Sequence, residues 1–152
     1  MKYLFAFIVF PIFLGGFKRG EGTTYLTCKS QSGRTLFEAE FAEYTVLRKA
    51  KIKIDKDSIL FDDDDECTVV FDPETKVYTL NIESEKERDF GTHCSVQLWA
   101  IPATFTEESP MELGIQAKYT FTAKIIGKDP RKEKKFEMPL ILLNCTMTYT
   151  GP

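Results

Sequence analysis

Histidine and tryptophan are nearly absent from this chain: His93 and Trp99 stand alone among 152 residues. No G-x-S-x-G elbow occurs, and residues i and i+2 on a strand, such as His93 and Ser95, need not meet as base and nucleophile. No catalytic residue is therefore expected, and the chain is read as non-enzymatic. Its four cysteines include no C-x-x-C pair and have no histidine at ligand spacing, which argues against zinc and thioredoxin-type redox sites. Basic residues are not in excess: 20 Lys and Arg face 23 Asp and Glu, for a formal net charge of −3. Phosphate contacts need clustered cations, so a nucleic-acid partner is not expected. No apolar run reaches the roughly 20 residues that span a bilayer core. Internal repeats and interdomain linkers are missing as well, and the length suits one domain.

What is present begins with the N-terminus. Met1-Lys2 gives a positive start, Tyr3 to Leu14 is apolar throughout, and Gly15 and Gly16 precede Lys18 and Arg19. This pattern fits a signal-peptide h-region, although an A-x-A cleavage pattern is missing. Residues 1–20 are read as a signal peptide and 21–152 as an exported β domain, secreted or periplasmic, with no stable membrane span after cleavage. Thirteen Phe and six Tyr can fill a β core without a cofactor, and none is expected.

Period-two alternation dominates the rest. In the stretch 114–127, Ile115, Ala117, Tyr119, Phe121, Ala123 and Ile125 share one parity, while Gln116, Lys118, Thr120, Thr122 and Lys124 share the other. A turn over 128–131 and a second long strand to Tyr149 follow. Shorter strands are expected at 23–30, 34–41, 49–54, 58–61, 67–71, 76–83 and 92–101, with a loop over 102–111. Phe37, Phe41, Tyr44 and Leu47 or Arg48 also lie at helical spacing, so a short helix near 36–48 competes with the strand there. Lys49, Lys51 and Lys53 form a stripe of the kind that marks a solvated or edge strand. The expected architecture is all-β: a single antiparallel barrel or sandwich of about eight or nine strands.

Each cysteine sits on the apolar parity of its strand, which in an oxidising compartment favours disulfides. Four cysteines allow three connectivities, and the preferred one is Cys28–Cys145 with Cys67–Cys94, because the first would tie the terminal strands together.

Candidate contact residues come from three places. Trp99 and Gln97 share a polar parity with His93, and an indole on a polar face is suited to binding. Lys128, Arg131 and Lys132 make a basic tip that could touch an anionic surface. Asp62, Asp64 and Glu66, within Asp62–Glu66, are hard oxygen donors of the type calcium prefers. An EF-hand frame starting at Asp62 fails, though, with Cys67 in place of its Gly and Pro73 in place of its closing Glu. A solvated loop is the simpler reading, and no metal is expected. Asn144-Cys145-Thr146 matches a glycosylation sequon, but with a half-cystine between.

Tyr25-Leu26-Thr27-Cys28, followed by Gly33 and the alternation from Phe37 to Phe41, resembles the opening of the periplasmic C-type lysozyme inhibitors. These are small exported β-barrels with a disulfide. Their inhibitory loop carries a serine that the stretch from Glu112 to Tyr119 lacks, so no functional residue is carried over. The functional expectation is an exported binding protein for an unknown protein or small ligand, and its sharpest version inhibits a secreted or periplasmic hydrolase. The alternative is a structural envelope or surface subunit without a ligand pocket.

Overall fold

The longest alternating stretch becomes the longest strand, and four other strands pair with it. The computed structural model describes residues 21–84, 94–110, 112–129, 134–136 and 142–152. In chain order the strands are β1 (Thr23–Ser30), β2 (Thr35–Ala42), β3 (Val46–Ile54), β4 (Asp57–Asp62), β5 (Glu66–Asp72), β6 (Val77–Ser84), β7 (Cys94–Ala100), β8 (Thr106–Glu108), β9 (Ile115–Asp129), β10 (Lys134–Phe136) and β11 (Leu142–Thr150). β9 pairs with β11 and β10, and also with β7 and β8. Nine strands follow one antiparallel order, β4-β3-β2-β1-β11-β9-β7-β6-β5. Within the expected 102–111 loop lie a single 3-10 turn, Pro102–Thr104, and β8.

The strand order explains the shape. β4 and β5 stand at opposite ends of it, yet only residues 63–65 separate them in the chain. Four residue steps reach at most about 14 Å. The sheet must therefore roll until its two ends approach, and it forms a curled half-barrel. Inward side chains from every long strand fill the roll, among them Leu26, Phe37, Ile52, Tyr78, Leu98, Ile125 and Met147, each buried to 1% exposure or less.

Aromatic rings close one region of the core. Tyr44, from the β2–β3 turn, stacks on Phe71 of β5 at 5.0 Å and on Tyr149 of β11 at 4.6 Å. Phe71 in turn meets Tyr78, Phe105 and Tyr119. Burial pushes the Tyr44 phenol up to about 12, with the neighbouring Tyr119, Tyr149 and acidic groups adding to it. Beside this stack, Glu43 occupies the left-handed region with φ 53. Its carboxylate accepts hydrogen bonds from the Gly22 N–H (2.9 Å) and the Tyr149 hydroxyl (2.8 Å), and its backbone carbonyl accepts one from the Thr24 hydroxyl. A side chain at position 22 would meet the end of the Tyr149 ring, which would have to shift from its bond to Glu43 to make room.

The structure decides two alternatives and corrects one expectation. No helix forms near 36–48, because β2 turns directly into β3. Glu40 pairs with Lys49 and Phe41 with Leu47, leaving Arg48 as an extra, bulged residue. That bulge lets both Leu47 and Ala50 point inward and mimics a helical period. Of the two readings of the lysine stripe the solvated one is seen: β2 and β4 flank β3, so it is not an edge, and its lysines are exposed on the outer face. Finally, only one of the two expected bridges forms. Cys28 and Cys145 are direct partners in the β1–β11 register, with Cα atoms 4.0 Å apart, and are bonded. Cys67 and Cys94 lie outside any disulfide. Cys67 pairs with Ile82 on β6, whereas Cys94 pairs with Ser84 from the other side of β6. Two strand spacings put them more than about 9 Å apart, beyond the roughly 7 Å limit for a bridge.

Candidate functional site

The outer face of β1 to β4 carries alternating charge because the register aligns residues of opposite sign. One row runs Tyr25, Glu40, Lys49, Asp62 across the four strands, and the next runs Thr27, Glu38, Lys51, Leu60. Opposite charges on facing strands stabilise one another. Lys49 Nζ lies 2.8 Å from Glu40, and the Arg48 guanidinium reaches Glu40 at 3.7 Å and Glu21 at 3.5 Å. The hydrogen bond to Glu40, helped by its charge, raises the Lys49 ammonium above its ordinary value.

The register shift that leaves Arg48 bulged lies at the end of the Glu40–Lys49 row. The outer face there holds a cavity of about 640 Å³. Its walls include Tyr25, Glu38, Lys51 and Leu60, and its floor is the sheet itself at Ala39 and Ala50, whose side chains point to the core on the other face. Tyr25 is 46% and Leu60 60% exposed. A flat ring at one side, an aliphatic group at the other and paired charges between suit recognition of a ligand with both apolar and hydrogen-bonding parts.

Sequence reasoning had pointed elsewhere. Trp99 is half-buried and Gln97 exposed on the outer face of β7. In the register Trp99 lies between Thr79 and Lys124, and Gln97 between Asn81 and Ile126. β11 and β9 separate this patch from the β1–β4 trough in the strand order. Lys128 stands in β9 opposite Ser95. His93, Arg131 and Lys132 lie outside the described residues.

The acidic run forms the turn from β4 to β5. The Asp62 carboxylate accepts from the Asp64 N–H at 3.1 Å, and the Asp65 carboxylate accepts from the Asp62 N–H at 2.8 Å. Carboxylate oxygens of Asp62, Asp63 and Asp64 come within 4.8 Å of one another, all exposed, while Glu66 begins β5 and is not part of that group. The weak metal candidates are thus only partly brought together, and the Asp62 carboxylate serves the turn.

No known family model matches the chain, and no match was found among curated proteins or among solved structures.

Sequence reasoning missed the trough, although one signal was visible. Leu60 breaks the polar parity of Ser58 and Asp62, and Tyr25 breaks that of Thr23 and Thr27. Apolar residues on the wrong parity of two strands marked the face, but not that the two strands share it.

Proposed function

We propose that this chain is an exported, non-enzymatic binding domain that takes its ligand on the outer face of β1 to β4. The observation that carries this reading is the open trough of about 640 Å³ between Tyr25 and Leu60. Its volume falls within the usual range for ligand sites, and its mixture of apolar and charged walls is typical of them. Export rests on the apolar segment 3–14 and on the Cys28–Cys145 bond, since disulfides persist in oxidising compartments. Among the described residues no helix is long and apolar enough to cross a membrane. Binding that blocks a secreted or periplasmic hydrolase is the most specific form of this function.

The test is capture from extracellular or periplasmic fluid by immobilised wild-type protein and by a Tyr25→Ala/Leu60→Ser variant, scored alongside hydrolase inhibition. Both residues are exposed, so the variant retains the fold. A captured species that the wild type saturates stoichiometrically and the variant loses supports the trough. Equal capture by both proteins overturns it.

A further inference from the structure

β5 is an edge of a different character from the rest of the sheet. It pairs with β6 along all seven residues, from Glu66 opposite Glu83 to Asp72 opposite Val77. On its other side it has no strand among the described residues. Half of its backbone N–H and C=O groups therefore turn toward an open lip, which is a template for another strand. The usual guards are missing, since Glu66-Cys67-Thr68-Val69-Val70-Phe71-Asp72 contains no lysine, arginine or proline.

A second observation concerns the core at that lip. On β6 the inward residues Tyr78, Leu80 and Ile82 are 2% exposed or less. On β5 the inward residues Cys67, Val69 and Phe71 are only half-buried, although they pack on the same core. Tyr44 stacks on Phe71 at that end, so the incompletely covered part of the layer lies at Val69 and Cys67. A further strand with apolar side chains at alternate positions would cover it.

Charge identifies the occupant. Asp63, Asp64 and Glu66 are exposed at one end of β5 and Glu74 at the other, where Asp72 is half-buried and its carboxylate accepts from the Glu74 N–H at 3.0 Å and the Thr75 hydroxyl at 2.6 Å; Lys76 is the only cation from residue 62 to 76. Antiparallel pairing with a second copy, centred on Val69, would set Glu66 against Asp72 twice, and like charges directly opposite are destabilising. A strand with cations at both ends meets no such cost.

We infer that the open edge of β5 is a docking site for an extended, cationic segment of another protein. The segment adds as a strand antiparallel to β5, with alternate apolar residues over Val69 and Cys67 and beside the Tyr44–Phe71 stack, and Lys or Arg against the carboxylates at each end. This surface is separate from the outer trough and does not rest on the ligand taken there.

The test uses the acetylated, amidated peptide KVTVTVK with isotope-labelled protein, following backbone amide shifts. Saturable shifts confined to residues 66–72 are expected, weakening as salt is raised, because screening at 1 M leaves a Debye length of only about 3 Å. The counterpart EVTVTVE should not bind. A Thr68→Lys/Val70→Lys variant changes two exposed outward positions, so its melting curve should match the wild type. Its affinity for KVTVTVK should fall roughly ten-fold, as like charges are added beside the incoming strand. No binding, equal binding of both peptides, shifts mapping away from β5, unchanged affinity in the variant, or self-association through β5 would each overturn the inference.

Discussion

Cys28 and Cys145 face each other across the β1–β11 ladder, whereas Cys67 and Cys94 are held apart by β6. All four occupy inward positions of strands, so the difference lies in strand order. The β1–β11 seam joins the two ends of the described chain, and its core residues Leu26, Leu143 and Met147 are 1% exposed or less. The β5 end has an open backbone edge and a half-covered core. The molecule is thus closed where its termini meet and unfinished where the sheet ends. The second bridge that would have stiffened the open end is ruled out by the strand between the two sulfurs.

The largest expected effect comes from breaking the closed seam. The Cys28–Cys145 bond spans a sequence separation of 117 residues. Chain-entropy arguments assign a loop of that size about 4 to 5 kcal/mol of stability. A Cys28→Ala/Cys145→Ala variant should therefore melt many degrees lower in calorimetry. An unchanged melting temperature would show that the seam does not depend on the bond.

The open end should respond less. Cys94→Ala, at a buried position, should cost about 1 kcal/mol, and Cys67→Ala, at a half-buried one, less than that. Burial pushes the Cys67 thiol up to about 11, which makes it a poor nucleophile near neutral pH. A thiol titration of denatured but unreduced protein should find two thiols, rising to four after reduction. Four without reduction would remove the bridge, and none would restore the second one.

The smallest effect is a pH dependence at the closed seam. Hydrogen bonds from the Gly22 N–H and then the Tyr149 hydroxyl hold the Glu43 carboxyl below its ordinary value of 4.5. A depressed carboxylate contributes stability above its unfolded value and loses it as pH falls through the folded one. Wild type should therefore lose this contribution below about pH 4.5. In a Glu43→Gln variant the melting temperature should fall less steeply over that range, and parallel curves would mean that Glu43 does not hold the seam.

Much of the fold was legible because a strand buries one parity, and local alternation reports that directly. β9 is the clearest case, and the inward residues of β1, β6 and β7 followed the same rule. In the region 36–48 the strand expected over 34–41 is present as β2, and the competing helical spacing arose because a single bulged residue, Arg48, resets the parity and imitates a turn of helix. Trp99 drew attention through its chemistry alone, while Tyr25 and Leu60 become partners only when β1 to β4 lie side by side.

By itself the sequence determined the class and the inward face of nearly every strand, and it left the pairing of the four cysteines open among three connectivities. Class and inward face depend on alternation. Only the tertiary structure decided that Cys67 and Cys94 stay apart, that Tyr25 and Leu60 flank one trough on the outer face of β1 to β4, and that β5 ends the strand order among the described residues. Each of those depends on which strands become neighbours. Side-chain periodicity says which way a residue points, and strand order alone says what stands beside it.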